Sequence, residues 1–97
     1  MFSAGEQQLI NGILETYLKG HWTAQERAAA EREFGPILTR MATEVYNAAM
    51  SCPGLDWSRM SLDDGADRMH GFLREQHPWL SPAALRNLNY AFYMCWK

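Results

Sequence analysis

The sequence predicts an all-α protein, a compact bundle of four helices and possibly five, within one helical domain covering residues 1–97. Apolar residues recur at helical spacing in four stretches, and a Ser or Thr suited to a helix N-cap precedes each one. Gly and Pro residues that favour turns separate these stretches. A chain of 97 residues is long enough to bury a core without help from metals or disulfides.

The first helix is predicted from Ser3 to about Lys19. Ser3 and Glu6 have the spacing of a capping box, in which each side chain satisfies a backbone N–H of the other. The apolar stripe behind this start consists of Leu9, Ile10, Ile13, Leu14, Tyr17 and Leu18. Gly20 is a natural terminator for the helix.

The second helix is predicted to begin at a capping box formed by Thr23 and Glu26. Its apolar stripe consists of Ala30, Phe34, Ile37, Leu38, Met41, Val45, Ala48, Ala49 and Cys52. Gly35-Pro36 interrupts it, since proline removes a backbone hydrogen bond and restricts the residue before it. Because the stripe keeps its phase across this point, we expect one helix kinked at Gly35-Pro36 rather than two separate helices, which remain the alternative.

The third helix follows a loop that extends to Met60, and the fourth helix comes after the third. The loop contains Trp57, which we expect to fold back onto the bundle. Ser61 begins the third helix, and acidic residues in its first turn favour the positive end of the helix dipole. Ser81 is the expected N-cap of the fourth helix, with Pro82 at the first helical position. We expect this last helix to continue to about Trp96.

The last helix carries more aromatic and apolar residues than one buried face requires. A predicted core face contains Leu85, Leu88, Phe92, Cys95 and Trp96, and the opposite face contains Arg86, Asn87, Tyr90, Met94 and Lys97, with Tyr93 at its border. A helix that is apolar nearly all round is typical of the centre of a bundle. We expect this arrangement, and a partner-binding face is the alternative, because Tyr, Met and Arg are enriched in interfaces.

The charges are unevenly distributed along the chain. Residues 1–77 contain eleven acidic and seven basic residues, a net charge of −4, and residues 78–97 contain only Arg86 and Lys97, a net charge of +2. The acidic excess is greatest between residues 51 and 77. Such a region could steer a basic partner, or it could be an ordinary solvated face. The overall charge of −2 argues against a nucleic-acid-binding protein.

No catalytic motif is present: the chain lacks a Gly-rich phosphate loop, a nucleophile elbow and a CxxC redox pair. Asp63, Asp67 and His70 share one side of the third helix and could contribute to a metal site, although a fourth ligand would be needed. We therefore expect a protein that is not an enzyme and has no metal or cofactor. The sequence shows no signal peptide and no apolar run of about 20 residues, which favours a cytoplasmic protein that does not enter a membrane.

These observations favour a non-catalytic protein–protein interaction module that is a monomer or a homodimer. The residues expected to bind the partner are Asp56, Asp63, Asp67, Arg86, Tyr90, Tyr93 and Met94. In its small size, acidic charge and helical pattern, the chain resembles bacterial immunity proteins and antitoxins, which implies an inhibitor that binds and neutralises another protein. The alternatives are a structural homo-oligomer joined through the last helix, and a small metal-dependent enzyme that uses Asp63, Asp67 and His70.

Overall fold

A computed structural model describes residues 2–96 and consists of five helices joined by short connections. The helices are α1 (Ala4–Tyr17), α2 (Ala24–Phe34), α3 (Pro36–Met50), α4 (Leu62–Gln76) and α5 (Pro82–Trp96). The described residues contain no strand, which confirms the predicted all-α class. None of these helices has both the length and the apolar content needed to cross a membrane.

The expected kinked helix is wrong, because the chain separates it into α2 and α3 at Gly35. Gly35 has φ 89° and ψ 162°, a conformation that glycine adopts far more readily than other residues. Its N–H closes the last turn of α2 by donating to Glu31 O, and Pro36 begins α3 at the position where a missing N–H has no cost. The two helices contact each other. The apolar residues can therefore keep their helical spacing across Gly35-Pro36 although the helix itself is interrupted there. Ile37, which belonged to the predicted stripe, is 60% exposed.

The predicted starts of the helices are confirmed, although one of the caps differs. Reciprocal hydrogen bonds between side chain and backbone join Ser3 with Glu6 and Ser61 with Asp64. Thr23 does not form the predicted capping box, because its hydroxyl donates to the carboxylate of Glu26 instead. The first helix ends at Tyr17, two residues earlier than expected.

Helix α3 lies at the centre of the bundle and packs against the four other helices. Helix α1 packs on α2, α3 and α5, and α4 packs on α3 and α5. The largest fully buried side chains form one core: Phe92, Ile10, Ile13, Leu14, Leu18, Met69, Leu73, Leu88 and Val45. The principal extents of the molecule are 41 × 27 × 18 Å.

A polar seam fixes the start of α5 against α1. Asn11 donates from Nδ2 to Trp79 O at 3.0 Å and accepts from Ser81 N at 2.9 Å. Asn87 donates to Leu14 O at 3.0 Å, and thereby satisfies a carbonyl in the last turn of α1. Together these contacts hold the start of α5 against α1.

Candidate protein-binding surface

Helix α5 is buried on one face only, so the expected position at the centre of the bundle is wrong. Its buried residues are Ala84, Leu88, Ala91 and Phe92. On the opposite side Arg86 is exposed, Tyr90 is 57% exposed, and Tyr93 and Met94 are half-buried. These four residues lie at i, i+4, i+7 and i+8 and therefore form one continuous strip. Lys97, which was expected on the same face, lies outside the described residues.

Two residues of this strip, Tyr90 and Met94, lie against the backbone at Gly20, which follows α1. Gly20 has φ 97°, and a Cβ at that position would lie 2.8 Å from Cε2 of Tyr90 and 3.7 Å from Cγ of Met94. Tyr90 and Met94 therefore rest directly on the glycine backbone. A side chain at Gly20 would push the Tyr90 ring away. The glycine therefore both permits the turn and leaves room for the ring.

Tyr93 connects this strip to the acidic residues of α4. Its hydroxyl donates a hydrogen bond to Oδ1 of Asp63. This bond, together with desolvation and the negative charges of Asp63 and Asp67, raises the pKa of the Tyr93 phenol above its usual value. The hydrogen bond between Tyr93 and Asp63 thus joins the aromatic strip of α5 to the acidic residues of α4.

A groove of about 540 Å³ runs between α4 and α5 and contains two more of the predicted residues, Asp67 and Arg86. The other residues that line it are His70, Pro82, Leu85 and Asn89. The ion pair found within residues 2–96 is the one between Arg59 and Asp56, so Arg86 and Asp67 keep their charges available for another molecule. We call the set Asp63, Asp67, Arg86, Tyr90, Tyr93 and Met94 the α4–α5 surface.

Asp56 does not join this surface by any contact in the described residues. Its carboxylate accepts hydrogen bonds from Ser58 N at 3.2 Å and Ser58 Oγ at 2.6 Å, and it pairs with Arg59 at 3.9 Å. Both partners belong to the same turn of the 51–60 loop. We therefore assign Asp56 a role in ordering that turn and omit it from the α4–α5 surface.

Two tryptophans form an exposed aromatic pair that the sequence analysis missed. Trp57 and Trp96 are 38% and 40% exposed, and their ring centroids lie 5.2 Å apart. Trp57 does fold back onto the bundle as expected, against Phe92. Trp96 was expected in the core together with Cys95, but both are exposed, and Trp96 contacts the end of α3 instead. There Nε1 of Trp96 donates to Met50 O at 2.8 Å. Cys95 and Trp96 lie in the last turn of α5, and this position could have indicated that they are exposed.

The carboxylate and imidazole groups of α4 do not assemble into a metal site. Within residues 2–96 no group of three or more His, Cys, Asp or Glu side chains is placed to hold a metal ion. Asp63, Asp67 and His70 share one helix and are spread over about 10 Å of its length. Asp63 is also engaged by Tyr93.

Cys52 is buried, and burial raises the pKa of its thiol. A thiol with a raised pKa stays protonated at neutral pH and is a poor nucleophile. Cys52 is therefore a small core residue at the end of α3.

Comparisons with protein-family models, with curated proteins and with solved structures found no match to this chain.

Proposed function

We propose that this protein is a non-catalytic protein–protein interaction module that binds its partner through the α4–α5 surface. The observation that carries the proposal is the 57% exposure of Tyr90 on a helix whose other face is fully buried. One side of the Tyr90 ring lies against Gly20, and this contact reduces the conformational entropy that the ring loses on binding. Rigid aromatic residues beside Arg are the usual anchors of protein interfaces.

The charges of the surface indicate what a partner must present. Asp63 and Asp67 favour basic groups above α4, and Arg86 favours a carboxylate above the start of α5. A small domain that covers a partner with such a surface suits an inhibitor of the immunity-protein or antitoxin type. In this role the chain acts by occupying a surface of its partner and supplies no catalytic group.

A second copy of the chain is the alternative partner. The α4–α5 surface contains charges of both signs, so two copies related by a two-fold axis could place Arg86 of one near the acidic residues of the other. Light scattering over a range of concentrations distinguishes the cases, since a strict monomer excludes the homodimer. A dimer that Tyr90→Ala dissociates would establish it.

The proposal is tested by quantitative capture of partner proteins from the source cells on immobilised protein. Tyr90→Ala should weaken capture of a specific partner about 30-fold, which corresponds to about 2 kcal/mol. Asp63→Asn combined with Asp67→Asn should also weaken it and should reduce its dependence on salt. Ile37→Ala is the matched control, because Ile37 is equally exposed but belongs to α3. A partner that binds all three variants alike would refute the proposal.

A further inference from the structure

Gly71 occupies a position that the fold does not require to be glycine. It lies in the middle of α4 on the exposed side, and a Cβ there would meet no atom within 4 Å. Glycine inside a helix is destabilising relative to alanine, so this residue weakens α4 with no compensating contact in the chain. Gly65 in the same helix differs, because a Cβ there would lie 2.7 Å from Cζ3 of Trp57.

Acidic residues flank Gly71 along one row of the helix. Asp63, Asp67, Gly71 and Glu75 follow one another at four-residue intervals, which places them in a single line across the outer face of α4. Helix α4 packs only on α3 and α5, so no helix of the bundle covers this line. The carboxylates of Asp67 and Glu75 form no ion pair within residues 2–96.

The row borders a groove of about 850 Å³ between α4 and the 51–60 loop. Apolar side chains contribute to its walls, Phe72 from the helix and Pro53 and Met60 from the loop. Arg68 also lines the groove, but its guanidinium lies against Gly54, where a Cβ would be 2.9 Å from Nη1. The groove thus combines an apolar wall, a row of carboxylates and a gap at Gly71.

We propose that this groove binds a basic amphipathic helix of a partner protein. The missing side chain at Gly71 lets a second helix approach the axis of α4 closely. Lys or Arg residues of that helix would pair with Asp67 and Glu75, and its apolar face would lie against Phe72 and Met60. Charge complementarity sets the class of occupant, because an acidic or uncharged helix would leave these carboxylates unpaired. This inference rests on the proposed function, in that it assumes the chain binds a protein.

The test uses a defined probe, a fluorescent helical peptide of about 18 residues in which Leu forms one face and Lys the other. The same peptide with Glu in place of Lys serves as the negative probe. We expect the Lys peptide to bind the wild-type protein at low salt, with affinity that falls as salt is added, and the Glu peptide not to bind. Fluorescence anisotropy measures the affinity, and amide NMR shifts locate the binding to α4 and the 51–60 loop.

Two pairs of variants separate the groove from general attraction to an acidic protein. Gly71→Gln should weaken binding about tenfold or more by filling the gap, whereas Gly5→Gln, at an exposed glycine of α1 that also has open space around it, should not. Glu75→Lys should weaken binding far more than Glu44→Lys, which makes the same charge change on α3. Because a Cβ at Gly71 meets no atom, Gly71→Gln is expected to fold normally, as helical circular dichroism would verify.

The inference is wrong if the wild-type protein fails to bind the Lys peptide at about 1 mM, or if each variant binds it as tightly as its control. This outcome can be told apart from failure of the proposed function. Glu75 lies outside the α4–α5 surface, so a groove that fails this test leaves the effect of Tyr90→Ala on partner capture unchanged. Conversely, if Tyr90→Ala does not weaken capture of the partner, the proposed function is wrong, whatever the result with the peptide.

Discussion

Replacing Asn11 with Ala tests the seam that orients α5 on α1. The change removes both hydrogen bonds of the Asn11 side chain and leaves Trp79 O and Ser81 N without that partner at a half-buried site. A buried polar group left unpaired costs about 1–3 kcal/mol, and partial access to water places this site toward the lower end. Because two such groups lose their partner, at about 1–1.5 kcal/mol each, we expect Asn11→Ala to lower the free energy of unfolding by about 2–3 kcal/mol. For a chain of this size the melting temperature should fall by roughly 10–20 °C.

Urea unfolding followed by helical circular dichroism measures this loss. Asn47→Ala is the matched control, because Asn47 is exposed on α3 and its side chain forms no hydrogen bond among the described residues. The control should change stability by less than about 0.5 kcal/mol. An Asn11→Ala protein as stable as the Asn47→Ala protein would refute the argument that this seam fixes α5.

Three further perturbations test the packing and the electrostatics. Gly65→Ala should displace Trp57, since the new Cβ would lie 2.7 Å from Cζ3 of that ring. The free energy of unfolding should fall by about 1 kcal/mol, and the tryptophan emission should shift to the red. Unchanged emission would contradict the packing of Trp57 on Gly65. Tyr93 has a raised pKa in the folded state, so its hydrogen bond to Asp63 stabilises the fold below about pH 10 and is lost as the pH rises through the folded value. The free energy of unfolding, measured with urea, should therefore fall less between neutral and alkaline pH for Tyr93→Phe than for the wild type. An equal fall in both proteins would count against the hydrogen bond. Burial lowers the pKa of His77, whose ring contacts uncharged aromatic rings. The neutral ring therefore contributes to the stability of the fold above about pH 6.5, and this contribution declines in more acidic solution. An NMR titration of His77 with a midpoint at or above the ordinary pKa would contradict this.

The helices and their starts were predictable because their signals are local. Ser3 with Glu6, Ser61 with Asp64, and Ser81 with Pro82 act within one turn, and each begins a helix where expected. The break at Gly35 was predicted only as the alternative, because the choice between a kink and a break depends on how α2 and α3 contact each other and the other helices. An apolar stripe that continues in phase is compatible with both outcomes.

The candidate site was predicted residue by residue but not as one surface. Which face of α5 points outward depends on contacts with distant parts of the chain, such as those of Asn11 and Asn87, whose partners lie about 70 residues away in the sequence. The hydrogen bond between Tyr93 and Asp63 joins residues 30 positions apart and has no sequence signature. Long-range contacts of this kind are set by the packing of whole helices, and a single sequence does not encode them in any local pattern.

The central claim is that the outer face of α5 contacts another protein, and cross-linking from that face tests it most directly. Tyr90 is replaced by the photoreactive residue p-benzoylphenylalanine, the protein is irradiated in its source cells, and the cross-linked products are identified by mass spectrometry. A parallel protein with the same residue in place of Ile37, which is equally exposed on α3, measures random collisions. The account predicts a discrete cross-linked species from position 90 that is absent from position 37. Equal or no cross-linking from the two positions would contradict it.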